Sequence, residues 1–288
     1  MVQAALSIEP AAVPATVLEE LTWRVQRGRV ELPLLPGVAM EITEAAARDD
    51  ADARMIAEIL RRDQALAAHV LRVVASPAYS GSTRIVSLQQ AVARLGLKKI
   101  REIALAIAFR VGVFELKGFD AELSAMFQHA VAAALFAQEL ARVTRRNVDD
   151  AFMCGLLHDV GRPVILQALV SICAEQRQRV PPAALLLATR ELHAEVGGIL
   201  ADSWNLPDAI EMAIRHHHDL AGPDLHANAV RITALANALS HFLLEPCADG
   251  EAELRKHPAL APLEIYPDML EKVLARGDAI KAVAGALS

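Results

Sequence analysis

From Val38 onward the chain is a relay of apolar stretches at helical spacing, each cut short by a capping residue, a glycine or a proline. This pattern restricts it to short helices packed one after another. Leu66, Val70, Leu71 and Val74 keep the helical register over Gln64 to Ala75, with Asp63 placed to cap that helix and Asp52 to cap Ala53 to Arg62. Ser87 caps a helix from Leu88 to Leu95, Gly96 ends it, and Leu97 to Phe114 follows directly. Ala and Leu dominate, aromatics are only 4%, and β-branched runs are few, so an all-α fold with almost no sheet is expected.

A lead helix is expected around Val17 to Val25. The two prolines and the glycine of Glu31 to Gly37 then break regular structure before a helix over Val38 to Ala47. Ser76 to Gly81 reads as a loop. A long helix spans Asp120 to Val143, where Ala130, Ala132, Ala133 and Ala134 leave room for neighbours to come close. Asn147 starts the next helix, which ends at Gly161, and Pro163 opens another in the first-turn position. Pro181-Pro182 separates that helix from one over Ala183 to Trp204. Leu206-Pro207 starts a short helix with Ile210, Ile214 and a histidine run, Asp224 leads into Val230 to Leu244, and a single amphipathic helix closes the chain from Met269 to Leu287. The expected division is a lead helix over 1–27, an N-terminal helical half over 28–119, a helical core over 120–245 and a tail over 246–288.

With 54% apolar residues the chain can bury a large core. A net charge of −6 and a pI near 5.9 provide no general basic field for nucleic acid or an anionic membrane. The turn at Gly96 matches a helix-turn-helix in spacing alone. The basic runs beside it (Lys98, Lys99, Arg101) and at Arg142, Arg145 and Arg146 read as solvated helix faces and ends. Cys154, Cys173 and Cys247 are too scattered for a disulfide framework, which fits a reducing compartment, the cytoplasm. Met1 to Glu9 lacks the pattern of a signal peptide, and no stretch is expected to cross a membrane.

Against this helical background stands His158-Asp159, at the end of the apolar run Ala151 to Leu157. His129 lies one long helix upstream, with His193 and the tandem His217-His218 downstream. Each sits in a stretch that reads as helix, so four segments could direct nitrogen and oxygen ligands at one point. A lone histidine on an apolar helix is usually a packed, hydrogen-bonded residue, and His69 and His241 are read that way. In His216-His217-His218 successive helical positions point about 100° apart, which favours His217 and His218 facing inward and leaves His216 exposed.

Two sets of residues resemble the HDOD family, the signalling branch related to the HD phosphohydrolases and the HD-GYP cyclic-dinucleotide phosphodiesterases. The first comprises Leu32-Pro33-Leu34-Leu35-Pro36-Gly37, Ile56-Ala57-Glu58-Ile59-Leu60, Asp63-Gln64-Ala65-Leu66, Ser76-Pro77-Ala78-Tyr79 and Ile85-Val86-Ser87-Leu88. The second comprises Gly155-Leu156-Leu157-His158-Asp159-Val160-Gly161-Arg162, His193-Ala194-Glu195-Val196-Gly197, Trp204-Asn205-Leu206-Pro207 and Ile214-Arg215-His216-His217-His218. The resemblance covers residues 28 to 240. It implies an all-α fold in which an N-terminal helical subdomain packs on an HD-like core. It also places His129, His158, Asp159, His193, His217 and His218 at metal-ligand positions, with Arg162 and Asn237 as outer or phosphate contacts.

Two departures bear on activity. Asn237 stands where the metal-binding pattern has Asp, and Asp219 to Pro223 lacks the Gly-Tyr-Pro loop of the phosphodiesterases. The neutral amide removes a charge that would balance a dication, which points to weaker occupancy or to a single metal. The expected function is therefore a cytoplasmic signal-transduction module of the response-regulator kind. It acts through contacts with signalling proteins, with a divalent metal (Fe, Mn, Ni or Mg) and a nucleotide as candidate ligands and its signal arriving from a separate chain or a ligand. The alternatives are a metal-dependent phosphohydrolase and, opposed by the acidic pI, a nucleic-acid-binding regulator. A further alternative for the cluster itself is a vestige held by internal hydrogen bonds.

Overall fold

The computed structural model describes residues 13–34, 37–46, 53–80, 87–113, 115–221 and 225–287. Asp52 as a cap, Ile85-Val86, Gly222-Pro223, Asp224 and the first residues of the chain lie outside that set. Among the described residues every regular element is a helix. The lead helix α1 is Ala15–Gln26. The N-terminal half follows with α2 (Gly37–Ala46), α3 (Ala53–Arg62), α4 (Gln64–Val74), α5 (Pro77–Ser80) and α6 (Leu88–Val113). The core comprises α7 (Asp120–Val143), α8 (Val148–Leu157), α9 (Gly161–Glu175), α10 (Pro182–Ser203), α11 (Asp208–His216) and α12 (Ala227–Leu244). The tail is α13 (Gly250–Leu254), α14 (Pro267–Leu274) and α15 (Gly277–Leu287).

Local capping explains several boundaries. The Asp63 carboxylate accepts from the Leu66 N–H at 3.0 Å, and the Asn147 side chain accepts from the N–H groups of Asp149 and Asp150. Ser87 Oγ accepts from the Gln90 N–H at 3.2 Å. Gly96 interrupts α6 with φ 80° and ψ 158°, a conformation that other residues adopt at a cost, so the run is two helices meeting at a kink.

Three expectations are corrected. Pro77–Ser80 forms a short helix where a loop was expected. α9 opens at Gly161, two residues before Pro163, which still falls in the first turn where no N–H bond is required. The closing helix is two, because the chain turns at Ala275 and Arg276. That turn lets Ile280, Ala284 and Leu287 bury, with α15 packed on α7 and Arg110 capping the Leu287 carbonyl at 3.0 Å.

α7 is the central element and packs against α8, α12, α14 and α15. Phe127, Phe136 and Leu140 are fully buried along it, each contributing about 2–3 kcal/mol of transfer free energy. Its alanines do what their size suggests. Gly155 of α8 sits so close that an added Cβ would lie 2.6 Å from Ala134 Cα. Val148–Glu175 is long and apolar enough to cross a membrane, contrary to expectation. It is, however, broken between α8 and α9, and 72% of its apolar window is buried within the fold.

In the N-terminal half α2, α3 and α4 pack on α6, and polar contacts tie that half to the core. Trp204 Nε1 donates to the Pro33 carbonyl at 2.9 Å, and its ring lies 5.7 Å from that of Phe109. The lead helix packs on α9, with Arg24 paired to Glu175 at 2.5 Å. Lys98 and Arg101 both pair with Asp149, at 2.8 and 2.7 Å, so this basic run is engaged within the fold.

Glu102 of α6 is 3% exposed, accepts from Gln138 Nε2 of α7 at 2.6 Å and pairs with Lys99. Glu102→Ala leaves the Gln138 amide buried without an acceptor, while Lys99, partly exposed, turns to water. The expected loss is about 2–3 kcal/mol in urea unfolding. A loss below about 0.5 kcal/mol would show that the pair does not hold α6 on α7.

Candidate metal centre

Five helical elements deliver the side chains. His129 comes from α7, His158 and Asp159 from the turn after α8, His193 from the middle of α10, His217 and His218 from the turn after α11, and Asn237 from α12. The six ligand-type residues converge. They form two groups whose donor atoms lie within 4.8 Å of one another: Asp159, His193, His217 and His218, and His129, His158 and Asp159. Asp159 is common to both.

The backbone sets the imidazole tautomers. Nδ1 of His158 lies 2.8 Å from the Gly155 carbonyl, Nδ1 of His193 2.8 Å from the Arg190 carbonyl, and Nδ1 of His217 2.8 Å from the Ile214 carbonyl. A carbonyl only accepts, so each Nδ1 carries the proton and each neutral ring presents an Nε2 lone pair to the interior. Nε2 of His193 stands 3.3 Å from His217 Nε2, 3.0 Å from His218 Nε2 and 3.3 Å from Asp159 Oδ1. Nε2 of His217 is 3.5 Å from the same carboxylate oxygen. His158 Nε2 is buried with no hydrogen-bond partner. A cation is the species that satisfies such a convergence of lone pairs around a carboxylate. The residues therefore fit a metal ion.

Electrostatics agree. Burial pushes the His158 imidazole down to about 3, against a partial counter-effect from Asp159, and the His129 imidazole down to about 4. Burial lowers His193 as well. Burial alone would raise the Asp159 carboxyl, but the surrounding imidazoles overcome it and hold that group well below the usual range. Arg162 donates to the second carboxylate oxygen at 3.3 Å and to Thr189 Oγ1 at 3.4 Å.

These depressions set a pH dependence for the metal-free protein. Above the ordinary histidine value of 6.5, neither state binds a proton at His129 or His158. Below it the unfolded chain does and the folded chain does not, so stability is lost as pH falls from 6.5 toward 4. At pH 5 the loss is roughly 2 kcal/mol for each of the two groups. A thermal midpoint of chelated protein that stays level between pH 7 and 5 would contradict this.

Some assignments change. α11 ends at His216, so the helical 100° spacing stops there. His218 reaches His193 from the following turn and is the exposed member, whereas His216 is half-buried. His241 is not a packed core residue. Its side chain is 48% exposed, and its ring lies 4.4 Å from that of His129. His241 follows Asn237 by one helical turn, a spacing that could have marked it as a neighbour of the site. Asn237 Oδ1 is 2.9 Å from His129 Nε2. Thr189, fully buried beside Arg162, carried no sequence signal.

Comparison with known proteins places this geometry among relatives. The model of the HDOD domain matches residues 32–220. A crystal structure of an HDOD domain protein with unknown function from Geobacter sulfurreducens is 26% identical, with a TM-score of 0.69, covering 93% of this chain and 97% of that one. A structure from Shewanella amazonensis SB2B, described as a candidate metal-dependent phosphohydrolase, is 21% identical, with a TM-score of 0.70 over 93% of this chain and 98% of that one, and shares the fold. An uncharacterized protein of Treponema pallidum (strain Nichols) is 30% identical over 238 residues, which are 79% of this chain and 45% of that protein. The chain thus spans about half the length of this relative.

Proposed function

Since the chain belongs to the HDOD family, we propose that it is a cytoplasmic signal-transduction module whose core is clamped by a bound metal ion and which acts through contacts with signalling proteins. The observation that carries this reading is the burial of the donors. His158 is 0% exposed, His217 2%, His193 5%, His129 7% and Asp159 8%, leaving His218 alone at the surface. An ion held by Asp159, His193, His217 and His218 draws α8, α10 and α11 onto one point, and a partner or nucleotide that prefers one arrangement of those helices would shift their packing. Iron, manganese or nickel suits a set of imidazoles and one carboxylate better than magnesium, which favours oxygen ligands.

A second reading, a metal-dependent phosphohydrolase, is favoured by Arg162, a guanidinium beside Asp159 that matches a phosphoryl group in charge and geometry. A bound dication would supply an acidified water and charge stabilisation for phosphoester hydrolysis. Arg162 would then orient the phosphoryl oxygens, and Thr189 would hold Arg162.

Metal analysis of the purified protein, followed by assay against cyclic dinucleotides and a generic phosphodiester, separates the two. A stoichiometric ion without turnover is the expected result. Turnover that His158→Ala abolishes would establish the hydrolase instead.

A further inference from the structure

The two donor groups are not equivalent, and their differences follow from atoms already described. In the group formed by Asp159, His193, His217 and His218, His193 Nε2 lies 3.0 to 3.3 Å from the Nε2 atoms of His217 and His218 and from Asp159 Oδ1, which His217 Nε2 approaches at 3.5 Å. His193 and His217 have already committed their protons to backbone carbonyls. Only His218 has a proton to donate inward, so without a cation lone pairs face lone pairs.

At the His129 end one ring is already engaged, while His158 Nε2 has no hydrogen-bond partner. His129 Nε2 pairs with Asn237 at 2.9 Å, and this holds whichever way the amide is turned, since either its oxygen accepts or its nitrogen donates. His158 then stands with Asp159 as the remaining donors of that group.

Charge separates the two ends further. Among the described residues one carboxylate, Asp159, serves both groups, and the nearest additional charge is the Arg162 guanidinium. Two dications beside a single carboxylate and a guanidinium would leave a large uncompensated positive charge in a buried pocket, whereas one dication is half neutralised.

We infer that the centre takes one ion, seated by Asp159, His193, His217 and His218, and that Asn237 is the residue that keeps a second ion from the His129 end. This rests on the metal-holding reading above and refines it. Asn237 is then a determinant of stoichiometry, and restoring a carboxylate at that position gives the His129 end the charge and the ligand it lacks.

The test uses the tag-free chain, stripped with chelator and titrated with Ni2+, with bound metal measured by elemental analysis and calorimetry. One Ni2+ per chain is expected. His193→Ala should weaken binding by about 100-fold or more, and His129→Ala by no more than about threefold, taking the 10- to 100-fold effects of indirect supporting contacts as the scale. Asn237→Asp should take up two. Circular dichroism of each variant confirms the fold, and if Asn237→Asp fails to fold, the wild-type count and the His129→Ala result still decide. Two ions in the wild type, or equal losses from His129→Ala and His193→Ala, overturn this inference while leaving the metal-holding reading intact. A folded wild type that binds no Ni2+ overturns both.

Discussion

Gly161→Ala is expected to be among the most damaging single-methyl changes in the chain. Gly161 opens α9 directly against the backbone of α10, where an added Cβ would lie 2.8 Å from Gly197 N and 2.9 Å from the His193 carbonyl carbon, deep inside contact distance. Backbone cannot swing aside as a side chain can, so α9 and α10 must separate. The cost is about 3 kcal/mol, at the upper end for overpacking, which is about 5 °C in thermal midpoint for a chain of this size. The same movement displaces His193 from Asp159, now 3.3 Å away, so metal affinity should fall together with stability. Gly198→Ala is the internal control. The atoms nearest its Cβ all belong to the Arg215 side chain, which is partly exposed and can move, and alanine's helix preference offsets part of the strain. Urea unfolding of both variants checks the contrast. Equal, small losses would mean that the α9–α10 approach is not tight.

Removing the metal should have a comparable effect. An ion that binds the folded chain alone stabilises it by about 2.7 kcal/mol when free metal is 100 times Kd and by about 4.1 kcal/mol at 1,000 times. Chelated protein should therefore melt roughly 4–7 °C below the loaded protein. His193→Ala should erase that difference, because its Nε2 lies within 3.3 Å of Asp159, His217 and His218 together. Scanning calorimetry with and without added Ni2+ measures both. Superimposable wild-type transitions would rule out a stabilising ion.

The buried cluster also shows how a site can be legible in its members and not in its arrangement. His129, His158, Asp159, His193, His217 and His218 are singled out by their helical placement and by the family resemblance, and the structure brings all six together. Their division into two groups sharing Asp159 and the pairing of Asn237 with His129 depend on where helices cross, whereas each Nδ1 is held locally by the carbonyl three residues before it. His241 shows the difference most clearly. Its spacing from Asn237 was visible, but whether its ring pointed to water or to His129 depended on the rotation of α12 against α7.

What the sequence determined by itself was local: an all-helical chain, the starts at Asp63, Ser87 and Asn147, and the break at Gly96. Caps, periodicity and glycine conformation act over a few residues, and their energies do not require the rest of the molecule. Tertiary structure alone decided the closeness of Gly161 to His193, the burial of Glu102 against Gln138, and the split of the tail that lets α15 cover α7. Those features join residues far apart in the chain. They are set by which small side chains let two backbones approach and by which polar groups must find partners once water is excluded.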